Sequence, residues 1–343
     1  MAITRTHDFF LQWHLTQRCN LSCRHCYQEP DSGGEMDLAE ARDVVAELVE
    51  TLDIWRQAYG LEFNPSCNLT GGEPLLREDL FAVIGELRAR GVAVFLLTNG
   101  LLADAKRAER LAELGVAGVQ VSLEGPRRVH DEVRGKGSFD ASLRGVENLL
   151  AAGHTVTLNV TLSAHNAGSF LELTELARSL GVQRLGFSRL VPVGRGRQML
   201  DQALSRAQVR DLYRRILALD PPGLELVTGD PLAAQASVPL GEDLGDIPLG
   251  GCAAGTAGLT LLPDGTVLPC RRLPIPLGNL RQDSLREIWA GSPALAALRE
   301  RSRYQDRCRR CPRWAACRGC RAIAHAHGGD PLAEDPACFL GPE

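Results

Sequence analysis

The chain has 343 residues, 44% of them hydrophobic, and a formal net charge of −4 at pH 7. This length can bury one large domain and a small one, or two ordinary domains. The mildly acidic balance argues against a nucleic-acid partner and against a membrane surface, and no run approaches the roughly 20 apolar residues that span a bilayer. The first residues have neither the basic start nor the cleavage site of a signal peptide, so we expect a cytoplasmic protein.

Short apolar strands alternate with amphipathic helical segments from residue 9 to about residue 195. The predicted strands are 9–16, 63–70, 92–99, 116–123, 156–163 and 184–191. The predicted helices are 38–59, 78–90, 104–114, 138–152 and 168–180. Alternation of this kind builds a parallel α/β sheet, and six repeats suit an open, partial (β/α)6 barrel of the TIM type.

The polar and apolar faces of these strands indicate what the sheet encloses. Successive side chains of a strand point to opposite faces, and one face is polar in strand after strand. Its residues are Gln12, His14 and Thr16; Asn68 and Thr70; Gln120, Ser122 and Glu124; and Thr157, Asn159, Thr161 and Ser163. We expect this face to line an open, wet cavity, because a flat doubly wound sheet would bury these groups at about 1–3 kcal/mol each if they lacked partners.

The eleven cysteines are unevenly spread: three lie near the start, seven lie after residue 250, and Cys67 stands alone. In a chain without a signal peptide, metal binding is a better interpretation than disulfides. Cys67 shares the strand face of Leu69, so we expect it to be a small core residue.

Three regions follow from this distribution. Residues 1–195 form the predicted barrel. Residues 196–250, with several glycines and prolines and a helical stretch near 204–219, are interpreted as a linker that faces the substrate. Residues 251–343 contain a predicted hairpin, 258–262 and 266–268, and are rich in Cys, Arg and Pro; a region with so thin a core needs bound metal for stability.

Cys19, Cys23 and Cys26 form a C-x-x-x-C-x-x-C pattern directly after the first strand. This loop lies at the barrel mouth, where barrel enzymes keep their chemistry. Three thiolates leave one iron of a cubane cluster open, whereas a structural zinc ion requires a fourth protein ligand. His25 is the alternative fourth ligand, but it lies in a loop too tight to wrap a single ion, so zinc is the weaker interpretation.

At these residues the chain resembles the radical S-adenosylmethionine (SAM, AdoMet) superfamily, in which an aromatic residue follows the last cysteine, here Tyr27. The resemblance implies that the open iron of a [4Fe–4S] cluster binds S-adenosyl-L-methionine. It also implies that the reduced cluster cleaves AdoMet to a 5′-deoxyadenosyl radical, which abstracts a substrate hydrogen. The protein positions the reactants and shields them from competing reactions.

A second motif, Thr70-Gly71-Gly72-Glu73-Pro74, ends the second predicted strand. The glycines let the backbone approach a ligand, and Glu73 can pair with a cationic amine. The resemblance implies that this motif binds the methionine amino group of AdoMet.

Three further residues match family positions less specifically. The resemblance implies that Ser122 and Asn159 contact AdoMet and that Arg134 reaches its carboxylate. The alternatives are hydrogen bonding within the lumen for the first two and a solvated loop charge for Arg134.

The C-terminal cysteines resemble the SPASM domain, an extension of radical SAM enzymes with two auxiliary iron–sulfur clusters. The resemblance implies that Cys308, Cys311, Cys317 and Cys338 hold one cluster. It implies that Cys252, Cys270 and Cys320 hold another, with an open or non-cysteine position. Two residues separate Cys317 from Cys320 where the family pattern has three, which puts the geometry at Cys320 in doubt. A zinc site completed by His325 or His327 is the alternative.

Within this family the favoured function is maturation of a short, ribosomally made peptide at an unactivated C–H position, with a flavodoxin or ferredoxin-type electron donor. The first strand begins within ten residues of Met1, so we expect no additional N-terminal module that grips a leader peptide. Synthesis of a tetrapyrrole or another cofactor is the main alternative, and His14, His325 or His327 could serve it. A non-catalytic iron–sulfur electron carrier is the alternative from another class, but it needs neither a cavity nor the Gly71–Pro74 turn.

Overall fold

The structure is a computed structural model, and it describes residues 6–28, 34–237 and 245–340. Its strands are β1 (Thr6–His14), β2 (Glu62–Thr70), β3 (Ala93–Thr98), β4 (Gly118–Ser122), β5 (Val156–Leu162), β6 (Arg184–Arg189), β7 (Glu225–Val227), β8 (Gly258–Leu261), β9 (Thr266–Leu268) and β10 (Gly278–Asn279). Its α-helices are α1 (Leu38–Tyr59), α2 (Leu80–Ala89), α3 (Ala105–Glu113), α4 (Arg127–Arg134), α5 (Ser138–Ala151), α6 (Phe170–Leu180), α7 (Arg206–Leu217), α8 (Ala233–Ser237), α9 (Leu285–Gly291), α10 (Pro293–Arg299), α11 (Asp306–Arg310) and α12 (Arg321–Gly328).

All ten strands belong to one sheet, in the order β10-β9-β8-β1-β2-β3-β4-β5-β6-β7. The pairs from β8 to β7 are parallel, and β9 pairs antiparallel with both β8 and β10. Strands β1 to β6 alternate with helices on one face, so the predicted partial α/β barrel is confirmed. The sheet is longer than predicted, because β7 extends it at one edge and the C-terminal hairpin extends it at the other.

Local sequence signals set the ends of α1. The Asp37 side chain accepts a hydrogen bond from the Glu40 backbone N–H at 2.9 Å, and the Glu40 side chain accepts one from the Asp37 N–H at 2.9 Å. Such a capping box satisfies two donors that the first helical turn leaves free. The helix ends at Gly60, whose φ of 63° is the left-handed conformation that terminates helices.

The two faces of the barrel strands separate as their alternation predicts. Val121 on β4 and Leu158 on β5 are fully buried in the core that packs against the helices. Their neighbours Gln120 and Asn159 point to the opposite face, where they line a cavity. Cys67 on β2 is also fully buried among apolar residues, which confirms the expectation that it is a core residue.

The segment interpreted as a linker is largely ordered structure that connects the barrel to the C-terminal region. It contains α7, α8 and β7, and β7 pairs with β6. Arg189 at the end of β6 makes buried ion pairs of 2.7 Å with Asp230 from this segment and with Asp335 near the C-terminus. The C-terminal region also joins the sheet directly, since Phe10 of β1 pairs with Gly258 of β8.

A search of the described residues for a long, sufficiently apolar helix finds none that could cross a membrane.

We predict that Gly145→Ala lowers the unfolding free energy, because a Cβ at Gly145 of α5 would lie 2.1 Å from the Gly100 carbonyl oxygen. Overpacking at such a contact costs about 1–3 kcal/mol. Gly85→Ala in α2 is the matched control, since a Cβ there meets no atom within 4 Å and should stabilise the helix by about 0.5–1 kcal/mol. Urea unfolding of anaerobically purified protein measures both, and shifts of the same sign would contradict the prediction.

Candidate active site

The three N-terminal cysteines lie together at the carboxyl end of the barrel strands. Cys19, Cys23 and Cys26 all line a cavity of about 940 Å³, its open mouth included. Burial raises the pKa of the Cys23 thiol, while the nearby guanidinium of Arg134 acts in the opposite direction. The Arg195 side chain donates a hydrogen bond to the Cys23 carbonyl at 3.1 Å. Cationic groups therefore flank the cysteine loop, as an anionic thiolate site requires.

The Gly71-Gly72 turn packs against the backbone that leads into the cysteine loop. A Cβ at Gly71 would lie 2.3 Å from the Thr16 carbonyl oxygen, and one at Gly72 would lie 2.1 Å from that of Arg18. The Gly72 N–H donates to the Thr16 carbonyl at 2.7 Å, and the Glu73 N–H donates to the Arg18 carbonyl at 2.8 Å. Only glycine fits at these two positions, because a side chain would collide with the backbone of Thr16 and Arg18. Both glycines also line the cavity.

The Glu73 carboxylate is fully buried behind this turn. Its oxygens accept hydrogen bonds from the Leu75 N–H at 3.1 Å, the Thr98 hydroxyl at 2.7 Å and the Asn99 N–H at 2.9 Å. Burial raises the pKa of Glu73, and these three donors oppose the shift. Pro74 is buried in the short helical turn that follows. The pairing of Glu73 with a ligand amine stays a prediction, and the partners observed here belong to the chain.

Ser122 and Asn159 lie where the strand alternation predicts, on the cavity wall. They occupy paired positions on β4 and β5. Gly186 on β6 pairs with Asn159, and a Cβ there would lie 2.8 Å from the Asn159 Oδ1, so this glycine leaves room for the amide. Three more polar side chains share the wall: Gln120, Thr161 and Ser188.

Arg134 is held by an acidic partner that the sequence alone did not reveal. Its Nε and Nη2 donate to the Glu124 carboxylate at 2.9 and 2.6 Å, and its Nη1 lies 3.8 Å from the Cys23 Sγ. His25 Nε2 is 3.3 Å from the same carboxylate. Burial alone would raise the pKa of Glu124, but the charges of Arg134 and His25 hold it well below its ordinary value. Period-two alternation identified Glu124 as polar, but no sequence signal identified its partners.

A second cavity of about 910 Å³ adjoins the first, with Tyr27, Arg271 and Arg272 on both walls. His14 at the end of β1 lines this second cavity, and its ring packs edge-on against that of Tyr27, with 5.8 Å between the ring centres. Burial, followed by the charge of Arg271, lowers the pKa of His14 to about 3. Neither ring nitrogen of His14 has a hydrogen-bond partner among the described residues.

Arg271 and Arg272 line both cavities, a position that no local sequence signal indicated. The Arg271 guanidinium lies 5.6 Å from the centre of the Tyr27 ring, and burial lowers its pKa. The Arg272 Nε is buried without a partner, and its Nη1 donates to the Arg189 carbonyl at 3.4 Å. No carboxylate of the described residues lies within ion-pair distance of either guanidinium.

The C-terminal cysteines lie in two places, and their assignment to clusters stays a prediction. Cys308, Cys311 and Cys338 line one open pocket, and Cys317 lies beside Cys338. In the second place, Cys320 lies close enough to Cys252 and to Arg272 for their charges to interact. Arg272 is in turn close to Cys270. Burial raises the pKa of the Cys308 thiol to about 11, so a metal that binds this sulfur must displace its proton.

The short interval between Cys317 and Cys320 is closed by two consecutive left-handed residues, Arg318 and Gly319, both with φ of 60°. A left-handed arginine is uncommon, and here its guanidinium donates to the backbone carbonyls of Ala315 and Cys252. The Cys252 N–H in turn donates to the Cys317 carbonyl at 3.1 Å. The short interval therefore forms a tight turn whose hydrogen bonds connect Cys317 with Cys252.

The histidines offered as zinc ligands lie on α12. His325 Nδ1 is 2.9 Å from the Gly329 carbonyl oxygen, and His327 Nδ1 is 2.9 Å from that of Ile323. Across the described residues, no group of three or more His, Cys, Asp or Glu side chains is arranged to hold a single metal ion. In a cubane cluster each cysteine binds a different iron, so its ligands need not converge on one point.

A partial parallel barrel with three cysteines at the mouth of a polar cavity, and seven more in an attached region, defines a barrel enzyme that uses iron–sulfur chemistry. The family model of the radical SAM superfamily matches residues 13–187, and that of SPASM, an iron–sulfur cluster-binding domain, matches residues 252–312. The chain therefore belongs to the radical SAM superfamily and is a radical SAM enzyme with a SPASM domain.

Proteins that are similar to almost the whole chain are named for different activities. The chain is 34% identical to pre-heme d1 synthase of Dinoroseobacter shibae, over 96% of this chain and 85% of that protein. It is 32% identical to mycofactocin maturase MftC of Mycobacterium ulcerans, over 96% of this chain and 88% of that protein. SuiB of Streptococcus suis superposes with a TM-score of 0.75 at 17% identity, over 97% of this chain and 78% of SuiB; this likeness shows the fold alone.

Family membership gives the cofactors as [4Fe–4S] clusters and S-adenosylmethionine. The residues present fit these groups. Cysteine thiolates in sets of three and seven are the ligands that such clusters take, and a turn of two glycines forms part of the wall beside the first set. The expected cofactors are thus matched by the donor chemistry at both ends of the chain.

We predict that Glu73→Gln lowers the unfolding free energy by about 1–3 kcal/mol, because an amide NH2 would then face backbone or hydroxyl donors in a buried site. Glu78→Gln, at an exposed position on the same connection, is the matched control and should be neutral. Urea unfolding and AdoMet binding are measured on both variants. Unchanged stability together with weakened AdoMet binding would contradict this structural role and favour direct contact with the AdoMet amine.

Proposed function

We propose that Cys19, Cys23 and Cys26 hold the cluster that activates AdoMet, in the cavity at the barrel mouth. When bound there, the reduced cluster and AdoMet supply a 5′-deoxyadenosyl radical that removes a hydrogen atom from the substrate. The support is that these cysteines line one cavity together with Tyr27 of the cysteine motif and with residues predicted to contact AdoMet: Gly71, Gly72, Ser122, Arg134 and Asn159.

The chain's own residues have distinct roles in this proposal. Arg134, whose Nη1 lies 3.8 Å from the Cys23 Sγ, would donate a charge-assisted hydrogen bond to that thiolate, and its ion pair with Glu124 holds it in place. Ser122 and Asn159 would donate and accept hydrogen bonds along the AdoMet sugar and base. Tyr27, packed between His14 and Arg271, would separate the cluster from the second cavity and from water.

We further propose two auxiliary clusters. Cys308, Cys311, Cys317 and Cys338 would hold one with four thiolates, and Cys252, Cys270 and Cys320 would hold the other with three. Their separate groupings support this assignment. A flavodoxin or ferredoxin-type protein is the proposed electron donor.

For the substrate we propose a gene-encoded peptide, and the polarity of the reaction cavity is the observation that carries this choice. Five side chains on adjacent strands face the cavity, and no side-chain hydrogen bond within the described residues occupies them: Gln120, Ser122, Asn159, Thr161 and Ser188. AdoMet would use some of these groups, and peptide amides can pair with the others. The name of MftC as a maturase and the structure of SuiB bound to its precursor peptide agree with a peptide substrate on this fold.

The arginine pair indicates what such a peptide should carry. Arg271 and Arg272 face both cavities without a carboxylate partner among the described residues. A guanidinium binds a carboxylate through two parallel hydrogen bonds. We therefore propose that the peptide presents a carboxylate, from an acidic side chain or its C-terminus, next to the site of hydrogen abstraction.

A tetrapyrrole is the second candidate, and the second cavity favours it. Apolar residues form much of its wall, including Leu262, Leu268, Pro274 and Pro276, which suits the face of a macrocycle. His14 offers ring nitrogens without partners to a bound metal, and the arginines could bind peripheral carboxylates. The relatives named as haem and pre-haem d1 synthases are as similar to this chain as the maturase.

We predict that changing Cys19, Cys23 and Cys26 together to alanine removes about four iron atoms per chain, one cubane cluster, and all formation of 5′-deoxyadenosine. Cys67→Ala, at the buried core cysteine, is the control and should retain both. Iron content and chromatographic quantification of 5′-deoxyadenosine under strong chemical reduction check this. Continued AdoMet cleavage by the triple variant would show that the cluster assignment is wrong.

The substrate proposal predicts that Arg271→Gln raises the KM for the substrate by roughly ten- to a hundredfold, the loss of a charge-assisted hydrogen bond of about 1.5–3 kcal/mol. The Arg271→Gln variant should still cleave AdoMet in the absence of substrate. Arg144→Gln, at an exposed position on α5, is the control. Mass spectrometry follows a peptide encoded beside the gene and an iron porphyrin bearing several carboxylates. Turnover of the porphyrin alone would replace the peptide proposal with tetrapyrrole chemistry, and equal KM values in all variants would exclude the carboxylate contact.

A further inference from the structure

A buried glutamine from the connecting segment contacts two of the C-terminal cysteines. Gln235 lies on α8, and its side-chain Nε2 is 3.3 Å from the Cys338 Sγ and 3.6 Å from the Cys317 Sγ. These distances are within the range of hydrogen bonds to sulfur, which is larger than oxygen. The segment expected to be a linker therefore supplies a donor to a cysteine group some 80 residues further along the chain.

The orientation of this amide is determined by its other end. The Gln235 Oε1 accepts a hydrogen bond from the Phe339 N–H at 3.1 Å. Rotating the amide by 180° would lose this bond and turn the oxygen's lone pairs toward electron-rich sulfur. The NH2 group must therefore point at the sulfurs, and it has two N–H donors for two sulfur acceptors.

Helix α8 is anchored on both sides, so the donor is held in place. The Arg313 Nη1 donates to the Ala234 carbonyl at 2.8 Å, which ties α8 to the segment between Cys311 and Cys317. On its other side, Asp230 accepts from the Leu232 N–H at 2.9 Å while it pairs with buried Arg189. A five-residue helix has little stability of its own, so these contacts are what position Gln235.

We propose that Gln235 raises the reduction potential of the auxiliary cluster at Cys308, Cys311, Cys317 and Cys338, which it does not ligate. The inference depends on the proposed assignment of that cluster. An N–H donor withdraws electron density from a ligating sulfur and stabilises the reduced, more negative cluster, and hydrogen bonds to sulfur are among the factors that set cluster potentials. The Cys317 sulfur also accepts a hydrogen bond from the Gly319 N–H at 3.4 Å. Gln235 therefore adds a side-chain donor to a backbone donor at the same sulfur.

The test is Gln235→Met, which keeps an unbranched chain of similar length and removes both donors. Redox titration of the full chain, followed by EPR, should show one cluster whose reduced-to-oxidised ratio at the wild-type midpoint falls about tenfold, equal to 59 mV for one electron. The other cluster potentials should be unchanged. Gln282→Leu, at an exposed glutamine in the same region, should shift none of them.

Pulsed EPR provides a second measurement that does not depend on the variant folding. In wild-type protein with 15N-labelled glutamine side chains, one auxiliary cluster signal should carry a 15N coupling, and this coupling should be missing from Gln235→Met. An unchanged potential in a cluster-replete Gln235→Met protein would overturn the proposal, and so would a wild-type signal without the 15N coupling. Both readouts are recorded without substrate, so their failure is distinct from failure of the peptide proposal.

Discussion

The buried carboxylate of Glu73 is the interaction on which the geometry of the reaction cavity depends. By accepting bonds from Leu75, Thr98 and Asn99, it ties the carboxyl ends of β2 and β3 together. The Asn99 side chain extends this network by donating to Asn20 at 2.8 Å, next to Cys19. The Gly71-Gly72 turn, pressed on the backbone that leads to the cysteines, completes it. Three thiolates must be held in register for one cubane, and a network centred on a fully buried carboxylate holds their loop better than surface contacts could.

A second buried network links the barrel to the C-terminal cysteines. Arg189 on β6 is shared between Asp230 and Asp335, and Asp335 also accepts from the Cys320 N–H at 2.8 Å. Removing one partner of such a group would leave an uncompensated buried charge, which costs about 3–5 kcal/mol. Strand β6, the connecting segment and the backbone of Cys320 are therefore joined at one buried junction, and losing one of its charges would destabilise all three.

Much of the fold was predictable because strand alternation and helix ends are local signals. The predicted strands of the barrel correspond to β1 to β6, and the predicted helix at 38–59 has the bounds of α1. Local patterns did not reveal α4, an eight-residue helix with few apolar residues, or β7, a three-residue edge strand. The pairing of β8 with β1 was not predictable either, because contact between residues about 250 positions apart leaves no local signal in the sequence.

The candidate site divides in the same way. Cysteine spacing brought the metal-binding groups to notice, since Cys19, Cys23 and Cys26 lie on one short loop and the C-terminal cysteines resemble a family pattern. The partners of those groups are set by tertiary packing: Glu124 beside Arg134, and Gln235 beside Cys338. This contrast decides the interpretation of the arginines. Arg134 and Arg189 are neutralised by carboxylates of the chain, whereas Arg271 reaches the cavity with burial lowering its pKa and no such partner among the described residues. An anionic ligand would stabilise a cation left in that condition, and this is the physical basis of the proposed carboxylate contact.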